Sequence, residues 1–384
     1  GAALFGVHPV HVEAVAWIVE IKDLLAAGFY LLAVECFLND DDSEGHGRRR
    51  WLIWASLAAA GAMLCKSAAV TLPAGLAILI WHRRGKLGWR EGCALAPVAA
   101  VALGMGLADW AVASQKAEPA AAAGLVQRLL GAGRALAFYA EKLAWPVNLN
   151  CVYPQWSIRP ADPWAWLALA GALAALATLW LARRRIGRGP LACVLFYVVT
   201  LGPMLGVLRF NFLSLSPVAD RYQYLASLAP LAGAGALIAP GPRCGRRARV
   251  WRGLLAAWAL AGLAVLTWRQ AALYRNDAIL FRRVVTLNPR SVLAWNNLGV
   301  ELLRQGRLEE ARTALEGALR LNPDHVQARS NLAAVLSDLG DDRRAVELYR
   351  RSLEHGGGDE WLTADLAWIL ATTPDAGLRD PAEA

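Results

Sequence analysis

The stretch AWNNLGVELLRQGRLEEA, Ala294 to Ala311, returns 34 residues later as ARSNLAAVLSDLGDDRRA, Ala328 to Ala345. Ala294, Asn297, Leu298, Gly306 and Ala311 reappear as Ala328, Asn331, Leu332, Gly340 and Ala345, and Leu319 as Leu353. Leu287-Asn-Pro289 and Leu321-Asn-Pro323 keep the same spacing. A fixed period of this length, with a glycine between two helical patterns, marks paired antiparallel helices that bury their apolar faces only by stacking on neighbours. Gly306 and Ala311 belong where those helices cross closely, and Pro323 closes the first copy.

Thirty-four residues is the tetratricopeptide period. Two repeats are predicted, at about 291–324 and 325–358, with a half repeat over 269–290. After Gly356-Gly-Gly358, the segment Trp361–Leu370 reads as a further first helix. Such solenoids hold a peptide or protein in a concave groove and are not catalysts in themselves.

Upstream of the repeats the chain changes character. Overall 57% of residues are hydrophobic and 18% charged, against roughly 45–50% and about 25% in soluble domains. The excess lies before Trp268, where apolar runs at about 24–38, 51–65, 67–81, 91–113, 163–182, 190–208, 225–241 and 253–268 alternate with basic clusters. A domain boundary therefore falls near Trp268, dividing 1–268 from 269–384. The fold class expected is all-α: a polytopic transmembrane helical bundle followed by an extracytoplasmic repeat solenoid.

The net charge of +9 does not signal nucleic acid. Its arginines and lysines concentrate at the ends of apolar runs: Arg48–Arg50; Arg83, Arg84, Lys86 and Arg90; Arg183–Arg185 and Arg188; Arg243, Arg246, Arg247, Arg249 and Arg252. Short loops of this kind lie on the cytoplasmic side. Eight crossings then place 8–23, Lys66, 114–162, 209–224 and the repeats on the opposite side. Keeping Arg83 to Arg90 inside requires 51–65 and 67–81 to form a hairpin with Lys66 at its apex. Several runs fall short of the roughly 20 residues that a bilayer core demands, so their ends borrow interfacial residues. Within the long external loop, Leu125 to Trp145 has the apolar spacing of a helix lying on the membrane surface.

Six cysteines form no framework: Cys36, Cys65, Cys93 and Cys193 lie in apolar runs, Cys244 in a basic loop, and only Cys151 outside. The sequence opens within an apolar run, Gly1 to Val7, without Met or a charged leader, and reads as N-terminally truncated.

Ionisable residues near membrane depth cost on the order of 2.5–3.5 kcal/mol each and ask for a reason. His8, His11, Glu13, Glu20, Lys22 and Asp23 crowd the first outer segment. The spacing of His8, His11 and Glu13 is not HExxH and lacks a fourth ligand, so no metal is assigned. His8, His11, Glu13, Lys22 and Asp23 are candidates to line a substrate cavity; the alternative is an amphipathic interfacial helix anchored by Trp17. Lys66 is either a snorkelling lysine or a phosphate ligand. Arg221 can fork onto phosphate oxygens, with Asp220, Tyr222 and Tyr224 shaping a pocket; otherwise Asp220 and Arg221 form an ion pair within an aromatic belt.

HPVHVEAVAWIVEIKDLL (His8–Leu25), KSAAVTLP (Lys66–Pro73), EKLAWPVNLNCVYP (Glu141–Pro154) and SPVADRYQYL (Ser216–Leu225), followed by the repeats, resemble one family. It is the transmembrane and tetratricopeptide repeat-containing O-mannosyltransferases and their bacterial relatives; the resemblance runs in order over nearly the whole chain. Ala367–Ala384 also resembles a segment that follows the repeats in bacterial members. The resemblance implies a GT-C glycosyltransferase that takes a hexose such as mannose from a polyprenyl-phosphate carrier to a protein hydroxyl on the extracytoplasmic side. It further implies an acidic residue in the first external loop that orients or deprotonates the acceptor, and cations that hold the leaving phosphate, here Lys66 and Arg221. That acidic pair is expected upstream of Gly1, so no catalytic residue is assigned within this chain, which by itself is expected to be inactive.

No cofactor is identified beyond the polyprenyl-phosphate sugar as donor substrate. The partners expected are membrane lipid, that donor, and a protein or peptide at the repeats; the composition, rich in Ala, Arg and Trp, reads as a GC-rich bacterial gene and an inner membrane with a periplasmic tail. A non-catalytic membrane scaffold whose repeats recruit a partner is the main alternative. A transporter is disfavoured because no charged pathway runs through the spans.

Overall fold

The structure, a computed structural model, describes residues 1–41, 46–115, 124–207, 215–239, 245–354 and 360–379. Arg243, Cys244, the Gly356–Gly358 spacer, the last residues of the Ala367–Ala384 segment and the side chains of Arg48 and Arg49 lie outside these. Every regular element among the described residues is helical. The chain forms two compact units, one of Gly1–Cys151 with Gln155–Ala272, the other of Leu273–Ala384 with Val152–Pro154.

The first unit holds α1 (Ala2–Gly6), α2 (Val12–Ala16), α3 (Ile21–Asp41), α4 (His46–Cys65), α5 (Leu72–Arg84), α6 (Trp89–Gln115), α7 (Leu125–Ala144), α8 (Pro163–Ile186), α9 (Gly189–Leu201), α10 (Leu228–Ile238) and most of α11 (Arg246–Leu273). Small residues line the packed pair α3 and α4: Ala33 on α3 and Ala55, Ala59 and Ala62 on α4 are all buried in one core. Such stripes substitute van der Waals contact for bulk where the surroundings are apolar. Proline marks the starts, in keeping with its missing N–H. Pro163 opens α8 behind Asp162, whose carboxylate accepts from Trp164 N at 3.0 Å. Pro203 follows α9, which gives way to a 3₁₀ turn at Gly202–Met204, so the predicted run 190–208 is a shorter helix.

The run 67–81 is also not one helix. Lys66 is extended, Ser67–Thr71 form a 3₁₀ turn, and α5 begins at Leu72 with Pro73 in its first turn. Of the helices on either side, α4 packs on α3 and α6, and α5 on α6 and α9. The helix predicted at 125–145 forms as α7, and its Leu130, Ala135 and Tyr139 are fully covered. It packs on α8 so tightly that a Cβ on Gly133 would lie 2.7 Å from the Leu169 Cα.

Among the described residues, three helices are long and apolar enough to cross a membrane: Trp89–Val112, Pro163–Ile186 and Arg246–Leu273. Arg50–Cys65, Gly189–Met204 and Leu228–Ile238 are apolar but shorter. Neither α8 nor α11 buries a single residue, and Trp164, Leu181, Trp258 and Trp268 stand exposed on them.

The second unit holds α12 (Asp277–Leu287), α13 (Val292–Arg304), α14 (Leu308–Leu321), α15 (Val326–Asp338), α16 (Asp342–Glu354) and α17 (Glu360–Thr372). The pairs α13–α14 and α15–α16 are the two predicted repeats, and α14 packs on α15 to join them. Both first helices end alike. Gly306 and Gly340 take φ of +70° and +82°, a region open to glycine at no steric cost. The residue after each turns back to cap its helix: Arg307 N donates to Leu302 O at 2.9 Å, and Asp341 N to Leu336 O at 2.8 Å. The repeated alanines Ala294, Ala311, Ala328 and Ala345 are all fully buried.

Candidate functional site

The segment between α1 and α3 is too polar for one continuous helix. His8 stops α1 and caps a 3₁₀ turn at Pro9–His11, α2 follows, and a second 3₁₀ turn at Ile18–Glu20 leads into α3. These breaks point Glu13, Glu20 and Asp23 inward, each at most 5% exposed. Ionised carboxylates survive such burial only when paired.

Arg221 supplies the pairing from a 3₁₀ turn, Asp220–Gln223, that precedes α10. Its guanidinium binds Glu13 Oε1, and its backbone N–H donates to Glu13 Oε2 at 3.0 Å. Its Nε lies 3.3 Å from Glu20 Oε1. Burial alone lowers the Arg221 pKa, but the neighbouring Glu13 and Glu20 hold it above the usual arginine range. Lys66 Nζ, reaching in from the break after α4, lies 2.6 Å from Asp23 Oδ1. Burial pulls the Lys66 pKa down and Asp23 opposes that pull. Both cations flank the Tyr222 ring, Lys66 at 5.4 Å and Arg221 at 5.0 Å from its centroid, in the manner of cation–π contacts. A cleft opens here, lined by Asp23, Lys66, Thr200, Arg221, Tyr222 and Tyr224.

The predicted residues therefore divide. Glu13, Asp23, Lys66, Arg221 and Tyr222 converge on one ionic cluster. Asp220 Oδ2 accepts from Asn150 N at 3.0 Å. Lys22 stays half exposed and reaches Glu20 Oε2 at 3.4 Å.

The histidines brace the fold. His8 Nε2 donates to Leu143 O at 3.0 Å, while its Nδ1 accepts from Val10 N at 3.4 Å. His11 Nδ1 donates to Phe5 O at 2.7 Å, and its Nε2 meets Ser227 Oγ at 2.8 Å. Burial lowers the His11 pKa to about 3. Tyr224 packs its edge on His11, centroids 5.1 Å apart. Among the described residues, no group of three or more His, Cys, Asp or Glu is arranged to hold a metal ion.

Glu20 was not among the sequence candidates. Its signal was the same as that of Asp23, a carboxylate at the head of an apolar run, but only the fold shows that it shares Arg221 with Glu13.

A tetratricopeptide repeat model matches residues 290–355. The chain carries tetratricopeptide repeats. It is 32% identical over 114 residues to the protein O-mannosyl-transferase Tmtc2 of Drosophila melanogaster, covering 30% of this chain and 12% of that protein. To the protein O-mannosyl-transferase TMTC4 of Homo sapiens it is 39% identical over 75 residues, 18% of this chain and 10% of that one. To the peroxisomal targeting signal receptor of Candida glabrata it is 40% identical over 79 residues, 19% of this chain and 13% of that receptor. The matched segments thus span about an eighth or less of the length of these relatives.

Proposed function

We propose that this chain belongs to a membrane-embedded glycosyltransferase that moves a hexose, mannose or a close relative, from a polyprenyl-phosphate donor to a hydroxyl of a protein acceptor on the extracytoplasmic side. The acceptor oxygen attacks the anomeric carbon, the bond from that carbon to the phosphate oxygen breaks, and the hydroxyl proton passes to a base. Lys66 and Arg221 stabilise the departing lipid phosphate, charge stabilisation of the kind that dominates such transfers. The carboxylates of Glu13, Glu20 and Asp23 hold those two cations in place before donor arrives. Asp220, Tyr222 and Tyr224 support the pocket, and the repeats bind the acceptor or a partner. The membrane is a bacterial inner membrane with the repeats in the periplasm.

The observation that carries this reading is the convergence of Lys66 and Arg221 on one cleft in a helical unit rich in apolar helices. It is supported by partial similarity to two protein O-mannosyl-transferases and by the repeat region. The apolar helices α8 and α11 bury no residue and expose large hydrophobic side chains along their length, an apolar surface of the kind that marks an interaction site, which supports lipid around them.

The test is hexose transfer in proteoliposomes of the full-length protein. Arg221→Ala and Lys66→Met should each lower kcat on the order of a hundredfold, with melting curves confirming a folded protein. Unchanged turnover in both variants removes the phosphate assignment, and absence of transfer by the parent protein removes the enzyme reading.

A further inference from the structure

We infer that the cleft holds a hydroxyl-binding subsite built from Asp23 and Thr200, beside the cations rather than on them. The inference rests on the glycosyltransferase reading and deepens it.

The two side chains come from different helices, Asp23 from the first turn of α3 and Thr200 from the end of α9, and both line the cleft. Both are only 4% exposed. Asp23 uses Oδ1 on Lys66, yet its buried Oδ2 makes no hydrogen bond among the described residues. Thr200 Oγ1 interacts with the buried Tyr30 hydroxyl, but neither oxygen has a hydrogen bond of good geometry among the described residues. Buried polar atoms left in this state call for a ligand or ordered water, because an unmade hydrogen bond there costs the full desolvation of the group.

The chemistry of that ligand follows from charge. Glu13, Glu20 and Asp23 are already matched by Arg221, Lys22 and Lys66. At Asp23 Oδ2 itself an anion would meet the carboxylate charge, and a cation would meet Lys66. A neutral hydroxyl suits both groups: it donates to Asp23 Oδ2 and accepts from, or donates to, Thr200 Oγ1. Tyr222 and Tyr224 supply aromatic walls to the same cleft. A hydroxyl of the transferred hexose and the hydroxyl of the acceptor carry this same chemistry, and the arms of the experiment separate them.

Binding of a polyprenyl-phosphate mannose, and of the same polyprenyl phosphate without sugar, is measured on the full-length protein in detergent. Thr200→Val preserves shape and removes the hydroxyl; Asp23→Asn preserves shape and converts the acceptor pair. Melting curves report whether each is folded. If the hexose occupies the subsite, Thr200→Val weakens the sugar-bearing lipid about tenfold, one lost hydrogen bond, and leaves the bare lipid unchanged. If the acceptor occupies it, lipid binding is unchanged and KM for a Ser/Thr peptide rises instead. The inference is overturned if folded Thr200→Val changes neither quantity, or weakens both lipids equally. Should the parent protein bind neither lipid, the glycosyltransferase reading falls. Methyl mannoside then decides the subsite alone: saturable binding that Thr200→Val abolishes supports it, and no binding overturns it.

Discussion

Glu13 accepts hydrogen bonds from both the guanidinium and the backbone N–H of Arg221, although 208 residues separate them in the chain. Two bonds to one carboxylate fix the Asp220–Gln223 turn against the N-terminal segment. A buried pair of this kind is weak evidence for net stability, but removing one member strands the other.

That asymmetry sets an order of damage. Arg221→Met leaves Glu13 without its cation and Glu20 with only the half-exposed Lys22, whereas Glu13→Gln leaves Arg221 still beside Glu20. Thermal unfolding in detergent should show Arg221→Met losing about 3–5 kcal/mol and Glu13→Gln distinctly less. Equal losses would mean that Glu20 contributes nothing to holding the arginine.

Acid should weaken the first unit through His11. Its pKa is about 3 in the folded protein against 6.5 as the reference, so the unfolded chain takes up the proton first as pH falls. Stability is therefore full above about pH 6.5 and declines progressively from there towards pH 3. Melting temperatures at pH 7.5 and pH 5 should differ in that direction, and His11→Gln should flatten the difference.

The repeats tolerate no side chain at Gly299. An added Cβ would sit 2.5 Å from the Leu315 Cγ on the facing helix, so Gly299→Ala must push α13 and α14 apart. The expected cost is about 1–3 kcal/mol, read as faster hydrogen exchange in α13 and α14 of the full-length protein. Unaltered protection would show that Leu315 yields without strain.

Lipid exposure of α8 is open to a direct test. Leu173 is 59% exposed on a helix that buries nothing. Placing a charge there, Leu173→Arg, should disfavour insertion by about 2.5–3.5 kcal/mol, seen as a fall in the membrane-integrated fraction. Arg183→Lys in the last turn should leave integration unchanged.

The repeats were legible because their information is local and duplicated. Gly306 and Gly340, or Ala311 and Ala345, need only a 34-residue comparison to be recognised, and their geometry follows from helix endings. Several apolar runs were legible too, since α6, α8 and α11 each carry a continuous apolar stretch. The run 67–81 reads as one apolar element but forms two, because Pro73 sits early enough to start a helix and the 3₁₀ turn before it has no sequence period. Glu20 escaped because nothing local separates a carboxylate that binds a distant arginine from one that faces water; Lys22, two residues on, does face water.

Composition, period and proline placement thus determined by themselves that this chain is helical, that it ends in tetratricopeptide repeats, and which of its segments carry unusual charge. Tertiary structure alone decided how that charge is used. Whether Arg221 meets Asp220 beside it or Glu13 208 residues away depends on which backbone turns face inward. It depends equally on which carboxylates lose their water on folding, and burial of that kind belongs to the packed molecule and not to any stretch of it.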